Sequence, residues 1–123
     1  MTNTVIFSLH ERPFEAIKKG TKNVEVRANK KGNQLGSITL LSPGDEVIFL
    51  KEGTQERLKC TLERITLYPT VRELLMAEGC PNTLSSGKNL EDGIISIESI
   101  PTYKELIAKN GVFALKLKNP QTL

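Results

Sequence analysis

The 123-residue chain predicts an α+β fold, a small curled sheet or β-barrel with helices packed at its flank. Strand-like segments lie at both ends of the chain and in its middle. Helical segments interrupt them irregularly, which argues against a doubly wound parallel sheet. The long strand-like segment 57–68 also changes apolar phase part-way. Leu58, Cys60 and Leu62 share one parity, while Ile65 and Leu67 take the other. A slip of one residue marks a β-bulge, and bulges let a sheet curl.

The elements follow in order. Val5 to Leu9 is an apolar run short enough for a buried strand. The stretch Glu11 to Gly20 reads as helical. Glu11 and Glu15 suit its positive end, Pro13 suits the first helical position, and Lys18 and Lys19 suit its negative end. Phe14 and Ile17 face the core, Gly20 ends the helix in the left-handed region, and His10 is a helix-entry residue. Asn23 to Ala28 is the next strand, with Lys22 on the turn before it. Residues 29–42 are rich in Lys, Gly, Asn and Ser. Lys30 and Lys31 form a basic loop there, and Ile38 to Leu41 form a short strand or an apolar plug.

Pro43-Gly44-Asp45 is a turn. Glu46 to Leu50 follows as a buried strand with Lys51 at its end. Gly53 turns the chain into the strand Arg57 to Tyr68. Thr70 and Glu73 form a capping box for a helix with the apolar stripe Val71, Leu74, Leu75, ending near Gly79. Residues 80–88 read as irregular. Asn89 caps a helix lined by Leu90, Ile94 and Ile97, which Pro101 breaks. Tyr103 to Lys109 adds a further helical turn or two, and Val112 to Leu117 closes the chain as a strand. One domain over residues 1–123 is expected from this length.

Charged residues make up 25% of the chain and hydrophobic ones 38%, an ordinary globular composition. The net charge of +3 permits a phosphate-bearing partner. The sequence contains no apolar run long enough to span a bilayer, and the N-terminus lacks signal-peptide features, so a cytoplasmic protein is expected. Cys60 and Cys80 have no zinc-ligand spacing, and His10 is the single histidine. No Walker, dinucleotide or nucleophile-elbow motif occurs. No metal and no cofactor are expected.

The strand 23–28 carries the chemistry. Val24 and Val26 share one side, and Glu25 and Arg27 share the other. Lys22, on the turn, is delivered to the mouth that Glu25 and Arg27 face. Lys51 and Tyr68, at the ends of other strands, complete the candidate set. Cations around one carboxylate can hold phosphate while the carboxylate accepts a base or amide N–H. The same group can do acid–base work if burial shifts a pKa.

The run Phe14-x-x-Ile17-x-x-Gly20-x-Lys22-x-x-Glu25-x-Arg27, then Pro43-Gly44-Asp45-x-Val47-x-Phe49, resembles an ASCH domain. So do Tyr68-Pro69-Thr70-Val71-x-Glu73-Leu74-Leu75, Leu84-x-x-Gly87-x-x-Leu90-Glu91, Tyr103 and Gly111-Val112-x-Ala114-x-x-Leu117. The resemblance implies a PUA-like fold, a small β-barrel with flanking helices. It also implies a cleft lined by Lys22, Glu25 and Arg27 that receives RNA or a nucleotide. In a binding module, Lys22, Arg27 and Lys51 would meet phosphate, Glu25 a base edge, and Tyr68 or Tyr103 would stack on a base. The alternative is a small hydrolase acting on RNA or on a modified nucleoside, in the manner of the N4-acetylcytidine amidohydrolases of the family. Lys22 and Glu25 would then be catalytic. Those enzymes carry a threonine nucleophile where this chain has Glu25, and a downstream glutamate for which Glu78 is a loose candidate.

Overall fold

The computed structural model describes residues 3–29, 38 and 41–123. Five strands form one curled, half-barrel sheet: β1 (Thr4–Leu9), β2 (Val24–Ala28), β3 (Glu46–Lys51), β4 (Arg57–Tyr68) and β5 (Val112–Thr122). Their order is β1-β3-β4-β5-β2, so β1 and β2 are the two edges. The β1–β3 pair is parallel and the other pairs are antiparallel. The helices are α1 (Glu11–Lys19), α2 (Val71–Glu78), α3 (Cys80–Thr83), α4 (Leu90–Glu98) and α5 (Tyr103–Asn110).

The predicted bulge in β4 is present: its register against β5 shifts between Leu62 and Arg64, and a second shift lies between Lys59 and Thr61; beyond it Ile65 packs on the core, but Leu67 is exposed. These bulges add local twist where β4 and β5 pair along most of their length. The described interior has two cores. Phe14 and Ile17 of α1 pack with Val5, Val47, Phe49, Leu58, Leu62 and Leu115 in one core. Val24, Val71, Leu74, Leu75, Ile97 and Val112 form the other, under α2, α4 and α5.

Both predicted N-caps form, although among the described residues the Glu73 side chain makes no return bond to the Thr70 amide, so the capping box is half made. Thr70 Oγ1 accepts from the Glu73 amide at 3.1 Å, and Asn89 Oδ1 accepts from the Asp92 amide at 2.9 Å. Gly111 has a second reason to be glycine besides ending α5. Its φ is +87°, and a Cβ would sit 2.9 Å from the Tyr68 carbonyl oxygen.

Three expectations change. Pro13 is the third residue of α1 rather than the first, which costs nothing because the first-turn N–H groups have no intrahelical partner. Residues 80–83, read as irregular, form the single turn α3. The last strand runs on to Thr122, with Asn119 at φ 53° before Pro120, because β4 offers partners as far back as Leu58. The Lys30–Lys31 loop lies outside the described residues, as do Thr39 and Leu40 of the 38–41 strand or plug. Of that segment, Leu41 is buried in the first core and its amide donates to Ile38 O at 3.1 Å.

Candidate functional site

A cleft of about 300 Å³ opens where the two sheet edges approach each other. Ser8 and Leu9 of β1 line one side, and Glu25, Val26 and Arg27 of β2 the other. His10, Arg12 and Pro13, at the entry to α1, and Glu52 stand at its mouth. Leu84, Ser85 and Ser86, with Ser96, Ile97, Ile100 and Tyr103, line the remainder.

Glu25 sits at the centre. Its side chain is 8% exposed, and its Oε2 accepts from Arg27 Nε at 3.0 Å and lies 2.8 Å from Arg27 Nη2. The guanidinium also lies over the Phe7 ring, 4.2 Å from the centroid. Phe7 is on edge β1 and Arg27 on edge β2, so this contact ties the open sides of the sheet together. Two residues apart on one strand, Glu25 and Arg27 share a face by the pleat alone.

Lys22 is buried beside them. Its Nζ donates to Val24 O at 2.6 Å and to Thr83 O, and lies 3.6 Å from Glu25 Oε1. The Val24 carbonyl is available for a structural reason. Asn23 O accepts from Leu117 N across the β2–β5 pair, so backbone alternation turns the next carbonyl to the open edge. Burial holds the Lys22 ammonium below the ordinary lysine range, and Glu25 opposes that shift.

Of the other predicted residues, Tyr103 lines the cleft while packing into the second core. Lys51 and Tyr68 do not line it. Lys51 Nζ bonds Glu15 at 3.0 Å and Glu56 at 3.1 Å, with Glu11 at 3.5 Å. The Tyr68 hydroxyl donates to Glu78 Oε2 at 2.6 Å. The β3–β4 hairpin is antiparallel, so the C-terminal ends of its strands point to opposite ends of the sheet. The sequence marks Lys51 and Tyr68 as strand ends without saying which end of the sheet each reaches.

Glu78 is also away from the cleft. Arg64 grips both of its oxygens at 2.7 Å, and the Tyr68 hydroxyl adds a third bond. The Arg64 hydrogen bonds hold the Glu78 carboxyl below its ordinary value of 4.5, helped by Tyr68 and the nearby Lys116 charge. A depressed carboxyl stabilises the fold above its unfolded pKa, and that stability is lost as pH falls through the depressed value. Stability is therefore expected to decline below about pH 4.5. Glu78→Gln should make the decline shallower in urea unfolding midpoints measured against pH. Asp45, Glu15 and Glu91, whose pKa values are also lowered, should keep it from vanishing.

Sequence reasoning passes over Arg12 and the serines at positions 85, 86 and 96. Arg12 reads there only as part of a helix start, and the serines follow no pattern until α3 and α4 are placed.

No helix among the described residues is long and apolar enough to cross a membrane. The curated proteins compared with the chain include no match. Solved structures do match. The crystal structure of hypothetical protein PH0355 superposes with a TM-score of 0.79 at 30% identity, over 96% of this chain and 99% of that one. For the solution structure of protein PF0455 from Pyrococcus furiosus, the TM-score is 0.67 at 28% identity, over 95% and 96%. An ASCH protein from Zymomonas mobilis shares the fold, with a TM-score of 0.65 at 16% identity, over 98% of this chain and 70% of that one. The ASCH domain model matches residues 7–121. With nearly its whole length matched and a PUA-like half-barrel carrying it, this chain belongs to the ASCH domain family.

Proposed function

We propose that the protein binds RNA or a nucleotide, including a modified nucleoside, in the cleft between β1 and β2. One observation carries the reading: a buried carboxylate, Glu25, is held by Arg27 at 2.8 and 3.0 Å in the wall of an open cavity. A carboxylate so fixed accepts an N–H from a base edge without reorganising. The pair belongs to a chain of the ASCH family, whose members are generally RNA-binding, and the net charge of +3 favours such a ligand. Tyr103 offers an aromatic wall, and a cytoplasmic location fits these ligands. The test is a fluorescence titration with short single-stranded RNA over a range of salt concentrations. Affinity is expected to fall steeply with salt, because phosphate contacts release counterions. Undetectable or salt-insensitive binding would count against the reading.

A second reading is a hydrolase acting on RNA or on a nucleoside of the N4-acetylcytidine type. One observation favours it: Lys22 is held below its ordinary pKa 3.6 Å from Glu25. Glu25 would be the general base, Lys22 would polarise the scissile group, and Arg27 would orient the carboxylate. It stands second because Glu25 replaces the threonine of the family's amidohydrolases and Glu78 lies outside the cleft. Incubation with N4-acetylcytidine and with bulk RNA decides it, and absence of product removes it.

A further inference from the structure

We infer that Arg12 makes the cleft's phosphate contact. The inference rests on the RNA- or nucleotide-binding reading above and adds which cation meets the phosphate. The N–H donors of the cleft's cations are committed unequally. An ammonium has three. Lys22 commits two to the carbonyls of Val24 and Thr83 and turns toward Glu25 with the rest. Arg27 has two of its five N–H donors, on Nε and Nη2, directed at Glu25 and one face against Phe7, so its plane is fixed and its remaining donors cannot turn to follow a phosphate. His10 Nδ1 lies against Glu52. Arg12 is different. It lines the cleft from the first turn of α1, it is exposed, and it has no ion pair among the described residues. Its guanidinium offers five donors in a fork that matches two phosphate oxygens.

This divides the work of the site. The buried Glu25–Arg27 pair meets the base, and Arg12, at the rim, meets the backbone. A base contact discriminates between sequences, whereas a phosphate contact acts uniformly and carries the salt dependence.

The test uses the whole chain and two single-stranded RNA octamers of unrelated sequence, titrated across salt concentrations. Arg12→Gln is expected to weaken binding to both by the same factor. It should also reduce the slope of log affinity against log salt by about 0.7, the value of one single-strand phosphate contact. Arg12→Lys should restore the slope. Arg72→Gln removes an exposed α2 arginine paired with Glu91 of α4 and should leave the slope unchanged. A wild-type slope in Arg12→Gln overturns the inference while leaving the binding reading intact. An equal slope change in Arg72→Gln also overturns it, because general surface charge would then be the cause. A wild-type chain that binds neither RNA overturns the reading of the cleft itself.

Discussion

Lys22→Met is expected to destabilise the fold by about 2–4 kcal/mol, lowering the melting temperature by roughly 10–15 °C. The ammonium satisfies two buried carbonyls that have no other side-chain partner among the described residues, Val24 O and Thr83 O. Each orphaned acceptor costs about 1–3 kcal/mol. One effect opposes this. An apolar side chain of similar length removes the desolvation penalty of the charge, and such replacements are sometimes neutral. The carbonyls decide the sign here, because Met has nothing to offer them. Arg27 keeps Glu25 paired, so the loss should stay short of that for a fully stranded buried charge. The measurement is urea or thermal unfolding of the two proteins side by side. Equal stability would mean that the ammonium is held in place for a ligand rather than for the fold.

Glu25→Gln is expected to weaken RNA or nucleotide binding by about 1.5–3 kcal/mol, roughly 10- to 150-fold. The charge-assisted acceptor becomes a neutral amide: its oxygen can still accept from Arg27, but its NH₂ then stands where the ligand N–H would be received. The salt slope should remain at its wild-type value, since no phosphate contact is lost. That separates Glu25 from Arg12, whose loss should change the slope. In the hydrolase reading the same variant abolishes turnover of N4-acetylcytidine, and undiminished turnover would exclude Glu25 as the base. Circular dichroism and a urea midpoint establish that the variant is folded, since Glu25 is buried between two cations.

What could be read from the sequence and what could not divide along a physical line. The β4 bulge, the Thr70 and Asn89 caps and the shared face of Glu25 and Arg27 are local patterns, set by neighbours a few residues away. The partner of Lys22 is not local. Thr83 O is 61 residues distant in the chain and reaches the ammonium only because α3, a four-residue turn with no periodicity to detect, docks beside β2. The strand beyond Leu117 is likewise invisible alone, because Asn119-Pro120 reads as a breaker until β4 supplies a partner. Lys51 and Tyr68 show the same limit at the site. Alternation tells which face a residue takes, and the carboxylates that meet them, Glu15, Glu56 and Glu78, are chosen by tertiary packing. Arg12 is the converse case. Nothing in its local sequence marks it, and it becomes a candidate only when the donors of its neighbours are counted.

The ligand is expected to sit in the seam between β1 and β2. Amide chemical-shift mapping of isotope-labelled protein, titrated with short single-stranded RNA, tests it most directly. The largest shifts are expected at Ser8 to Arg12, Glu25 to Arg27 and Leu84 to Ser86. Shifts confined to the outer face of β4 and β5, or none at any concentration, would contradict it.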